Sequence, residues 1–177
     1  MSTATIFIFF PFLLSVALYF LQKRTRLSII LAVSASLVLM LFAFFQNFGS
    51  VWKIGPVSIE IKTSLSILGR SFSLSNQDRY ILTLVYFFAA LWFGSTQVLK
   101  VPCRFIPITL AIISLLTAAL AVDPFIYSAI LVEIAVLISV PLLLVQGEQA
   151  SKGVMRFLVY QSIAMPLILF GGWLLGG

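Results

Sequence analysis

Phe125-Ile126-Tyr127-Ser128-Ala129-Ile130-Leu131-Val132-Glu133-Ile134-Ala135-Val136-Leu137-Ile138-Ser139-Val140-Pro141 is an apolar run with a single carboxylate, Glu133, at its centre. An α-helix rises about 1.5 Å per residue, so such a run comes close to crossing a hydrocarbon core of about 30 Å. An ionised acid facing lipid at that depth costs about 2.5 to 3.5 kcal/mol on insertion scales. Glu133 is therefore expected to face protein or a water-filled cavity, and to be protonated for part of its working life.

Outward from this run, the rest of the chain repeats its apolar character. Of 177 residues, 62% are hydrophobic and 9% charged, against about 25% charged in an ordinary soluble domain. The mean hydropathy is +1.17. The apolar blocks predict an all-α polytopic membrane bundle, a single domain over 1–177 with about six spans at 5–21, 27–48, 80–99, 105–122, 125–145 and 154–175. The first block is kept as a span, not a signal peptide, because the basic cluster Lys23, Arg24, Arg26 follows it instead of preceding it. That tight basic connection makes a helical hairpin of spans one and two.

The formal charge of +6 does not point to nucleic acid, because the basic residues sit at the ends of the apolar blocks, where they act as topology signals. Lys23, Arg24, Arg26, Lys100, Arg104, Lys152 and Arg156 gather on the odd-numbered connections. The positive-inside rule puts those connections in the cytoplasm and both termini outside. The outer loop, 49–79, runs against the rule with Lys53, Lys62, Arg70 and Arg79, but it is long and also holds Glu60 and Asp78. Within it, Val57–Lys62 and Ser66–Leu74 alternate apolar and polar residues, the period of a half-buried strand. A small extracytoplasmic β-hairpin of these two segments on the membrane surface is expected.

Chemistry has few places to reside. Histidine is absent and Cys103 is the single cysteine, which removes imidazole ligation and any internal disulfide. No phosphate loop, paired carboxylates or metal constellation exists, so no cofactor and no metal are expected and no redox chemistry is placed in this chain. For Glu133 two roles compete. Burial favours the neutral form of an acid and a nearby cation favours the carboxylate, so an acid held between the two can relay protons. An acid held permanently neutral would instead join helices by a hydrogen bond. Lys152 and Arg156, one turn apart on one helix face, are candidate charge partners as well as interfacial anchors. Pro141 and Pro166 each free a backbone carbonyl. Asp123-Pro124 has the form of a helix start. Trp52, Tyr80, Tyr86, Trp92 and Trp173 are read as interfacial belt residues.

The order of these features resembles the antiporter-like membrane subunits of respiratory complex I and the related Mrp-type cation-proton antiporters and membrane-bound hydrogenases. The resemblance rests on the short turn with Asp123, the fifth span with Glu133 at its middle, and Ala150-Ser151-Lys152-Gly153-Val154-Met155-Arg156-Phe157-Leu158 opening a sixth span. It implies a fifth-span glutamate paired with a lysine of a seventh span, in a channel of two inverted five-helix repeats. Arg156 takes the place of the basic residue that opens the sixth span. The chain stops at Gly177, so that lysine and the second repeat are missing. A split subunit, a shortened relative or a truncated chain is expected. Partner membrane subunits would then supply the lysine and house the redox centres of an NADH- or ferredoxin-quinone oxidoreductase-like complex. The expected location is a bacterial inner membrane, with thylakoid or organelle membranes as alternatives. A structural or assembly subunit without transport is the competing reading, and an independent small transporter lacks the repeats and broken helices of that class.

Overall fold

The computed structural model describes residues 3–21, 24–45, 51–54, 57–60, 64–67, 70–99, 101–102, 104–123, 126–143 and 152–176. Lys23, Lys62, Lys100, Cys103 and Pro124, used above as sequence signals, lie outside them. Six helices form where the apolar blocks lie: α1 (Thr3–Phe20), α2 (Thr25–Phe45), α3 (Asp78–Ser95), α4 (Phe105–Ala121), α5 (Ile126–Leu143) and α6 (Lys152–Gly176). Three of them, α1, α2 and α6, are long and apolar enough to cross a membrane, while α4 and α5 are apolar but shorter.

Packing departs from chain order at α1. The turn between α1 and α2 brings the chain back, but the two helices barely touch: α2 packs on α3, and α1 packs on α4. The hairpin expected of spans one and two is thus a connection with little interface. Small residues explain the α2–α3 contact. Ser28, Ala32 and Ser36, spaced four apart, are buried on α2 together with Leu39 and Ala43, and such small-xxx-small rows let helix backbones approach closely.

Hydroxyl groups fasten α1 to α4. Ser15 Oγ donates to the Pro107 carbonyl at 2.7 Å, and Ser114 Oγ donates to the Ile8 carbonyl at 2.6 Å. Residue numbers fall along α1 as they rise along α4 in these bonds, so the two helices are antiparallel. Pro11, inside α1, has no N–H for the carbonyl four residues back, which belongs to Phe7. The Tyr86 hydroxyl of α3 donates to that same carbonyl at 3.1 Å. Tyr86 is therefore a fully buried core residue, not the interfacial belt residue its sequence position suggested. Tyr86→Phe removes this hydrogen bond from the core and should destabilise the protein by about 0.5 to 1.5 kcal/mol. Unfolding in mixed detergent micelles reads this directly.

The 49–79 segment forms two antiparallel ribbons, not one. β1 (Val51–Ile54) pairs with β2 (Val57–Glu60), and β3 (Ser64–Ile67) pairs with β4 (Arg70–Ser73). The expected strand at 57–62 thus turns back onto 51–54, and the expected strand at 66–74 is split between β3 and β4. Each ribbon pairs strands separated by only two residues in the chain, so the pairing is local. β4 also pairs with β5 (Val122–Asp123), which follows α4 directly, in the register Ser71↔Asp123 and Phe72↔Val122. Asp123, read as a helix cap, instead sits in this ladder, and α5 begins at Ile126. Because β5 continues from the end of α4, and that end lies beside the start of α1, the β3–β4–β5 sheet covers the α1 start. Phe72 is half-buried there, and Val122 and Leu74 are buried.

The entry to α3 is closed by a reciprocal pair. Ser75 N–H and Oγ both donate to the Asp78 carboxylate at 2.8 and 2.9 Å, and Asp78 N–H donates to Ser75 Oγ at 3.4 Å. This is a capping box in which Asp takes the Glu position.

Candidate functional site

Glu133 occupies the middle turns of α5, a helix that lies between α4 and α6. Its neighbours Ser128, Ala129 and Ala135 are buried, and Ile130, Ile134, Leu137 and Pro141 form the exposed stripe. Glu133 is between these extremes, half-buried. Its carboxylate Oε2 accepts a hydrogen bond from Gln161 Nε2 of α6 at 3.4 Å. That length marks a weak, adjustable contact, at the outer limit for an N–H···O bond. Both residues stand a similar distance from the 144–151 connection: Glu133 is 143 − 133 = 10 residues before the end of α5, and Gln161 is 161 − 152 = 9 after the start of α6. The two helices therefore meet as an antiparallel pair with the Glu133–Gln161 contact near their middles.

The helical period explains why Gln161, and not a cation, meets Glu133. The better-covered positions of α6 are Val154, Leu158, Gln161, Ala164, Met165, Ile168, Leu169, Gly171 and Gly172, which together make one broad face with Gln161 near its middle. At about 100° per residue, Arg156 lies about 140° from Gln161 around the helix and Lys152 about 180°. Both basic side chains are exposed near the helix start. They are not brought to Glu133, and their placement fits anchoring at a membrane surface. Gln161 was missed by reading the sequence for charges. Its signal was there, since it is the one amide side chain in α6.

An amide is a two-way partner. Its N–H₂ donates to a carboxylate and its carbonyl accepts from a carboxylic acid, so a rotation of Gln161 suits either protonation state of Glu133. A lysine in the same place would favour only the ionised form. Pro141 and Pro166 lie within α5 and α6 without ending either helix. By the missing N–H argument, the carbonyls of Leu137 and Ser162 lose their helical donors. Leu137 is one turn from Glu133, and Ser162 adjoins Gln161. Acid, amide and the two carbonyls thus lie within about one turn of one another along their helices, with Leu137 and Ser162 themselves exposed.

No family model, curated protein or solved structure matches this chain. The site is accordingly argued from its geometry. Among the described residues no three Cys, Asp or Glu side chains converge as a metal-binding group. The arrangement is a carboxyl group and an amide in contact across two apolar helices.

Proposed function

We propose that this chain is a six-span membrane subunit of a proton-translocating complex of the NADH- or ferredoxin-quinone oxidoreductase or Mrp-like kind, in which Glu133 is a proton relay completed by partner chains. The observation that carries this reading is the Glu133–Gln161 contact across two apolar helices, an intramembrane acid held by a partner that tolerates both of its forms. A cation approaching Glu133 from a partner chain, such as a buried Lys, would favour the carboxylate, and its withdrawal would favour uptake of a proton. Electron transfer would take place in other chains.

The packing supports the orientation expected from the sequence. The sheet and the α1 start share one end, and the connections bearing Arg24, Arg26, Arg104 and Lys152 share the other. The positive-inside rule makes the latter end cytoplasmic and both termini external.

The competing role, a structural or assembly subunit with Glu133 fixed and neutral, is separated by infrared titration of the protein in vesicles. The relay requires a protonated-carboxyl band that disappears reversibly as pH rises and is absent from Glu133→Gln. A Glu133 band that persists at every pH at which the protein stays folded would sink the relay and leave the structural role.

A further inference from the structure

Proline interrupts the hydrogen-bond ladder of three helices, at Pro11 of α1, Pro141 of α5 and Pro166 of α6. In α1 the gap faces the core and a neighbouring helix fills it, with Tyr86 of α3 donating to the Phe7 carbonyl. In α5 and α6 the gaps face outward, since Leu137, Pro141, Ser162 and Pro166 are all exposed. The Ser139 hydroxyl and the Gln161 amide are engaged elsewhere, by the Val136 carbonyl and by Glu133. Both gaps lie on one side of the pair. At about 100° per residue, Leu137 and Pro141 lie about 40° and 80° around α5 from Glu133, and Ser162 and Pro166 about 100° and 140° around α6 from Gln161, in the same sense. In an antiparallel pair, turns of one sense away from the facing residues lead to the same side. The buried α5 residues Ser128 and Ala135 lie about 140° and 160° around the other way, which leaves α4 on the opposite side.

Hydrocarbon tails donate no hydrogen bonds, so a backbone acceptor turned toward them is costly, and in membrane proteins neighbouring helices or polar side chains cover it. We propose that this side of the α5–α6 pair docks a transmembrane helix of a partner chain, whose mid-span hydroxyl, amide or ammonium groups donate to the Leu137 and Ser162 carbonyls. The inference rests on reading the chain as a membrane subunit with partners, and not on the relay at Glu133. Complementarity chooses the occupant. The surface offers acceptors, the two carbonyls beside the half-buried Glu133 carboxyl, set among exposed apolar side chains such as Ile130 and Ile134. Lipid supplies no donor to them, and a second copy of this chain would bring mainly the same acceptors. The bundle leaves room for such a helix, because α6 has α5 as its one substantial neighbour among the described elements, whereas α4 packs on both α1 and α5. The docked helix would serve α5 and α6 as α3 serves α1 through Tyr86.

Photo-crosslinking of the full chain in its native membranes tests this, with p-benzoylphenylalanine in place of the exposed Ile134. The adduct should map to a transmembrane segment of another chain, within about one helical turn of a Ser, Thr, Asn, Gln or Lys. The double variant P141A/P166A supplies the control on chemistry. It returns an N–H to each carbonyl from within its own helix and suits the helical state better than proline does, so the fold survives while the demand for an outside donor ends. In mixed micelles the adduct yield should then fall about fivefold or more, the equivalent of one lost hydrogen bond. Lipid adducts alone, an adduct to this same chain, a protein contact without a donor nearby, or a yield indifferent to P141A/P166A would each overturn the proposal. Alkaline carbonate extraction keeps the two levels apart. A chain that stays with the membrane while the Ile134 test fails refutes the docking surface alone, whereas release from the membrane removes the membrane reading as well.

Discussion

Under the proposed relay, Glu133→Gln is expected to reduce proton translocation by the assembled complex by about 10²-fold or more, the usual contribution of a positioned proton-transfer group, while leaving assembly intact. The substitution separates titration from packing. Glutamine has nearly the shape of glutamic acid and keeps a hydrogen-bonding partner for Gln161, whose amide can donate to or accept from another amide. The α5–α6 contact therefore survives, and only the exchangeable carboxyl proton is lost. Proton uptake into proteoliposomes driven by the complex's own electron or ion flux measures the effect, and the amount of complex recovered from the membrane monitors assembly. Unchanged translocation would remove Glu133 from any proton pathway. Loss of the complex itself would assign Glu133 to holding helices together.

The second large effect belongs to the core. Phe7 is fully buried, with its ring 5.8 Å from Phe42 of α2 and 5.8 Å from Tyr86 of α3. One side chain of α1 thus touches the α2–α3 pair from the other side of the bundle, where α1 and α2 otherwise have little contact. Phe7→Ala should cost about 3 to 5 kcal/mol, because the cavity lies between three helices that are each held by other partners and cannot all close in. Phe10→Ala on the exposed side of α1 is the control, with an expected change within about 0.5 kcal/mol. Equal destabilisation by the two would mean that the α1 interface lies elsewhere.

The helices were legible in the sequence because block length and apolarity act locally. The expected span at 27–48 became α2 at 25–45, and that at 154–175 became α6 at 152–176. What the sequence concealed was relational. The partner of each helix depends on which faces carry small residues and hydroxyls, so the adjacency of α1 and α2 in the chain misled, while Ser15 and Ser114 held the actual pairing. The ribbons were visible as alternation, but alternation cannot choose between pairing Val57–Glu60 with the segment before it or after it. At the site, Glu133 stood out as a charge in an apolar run. Its partner did not, because Lys152 and Arg156 attract attention by charge whereas contact is decided by angle around the helix, which selects Gln161.

The bond from Tyr86 to the Phe7 carbonyl reaches beyond stability. That carbonyl is the one whose helical donor the proline at position 11 removes, so the hydroxyl of a neighbouring helix meets α1 at the turn where its own ladder is interrupted.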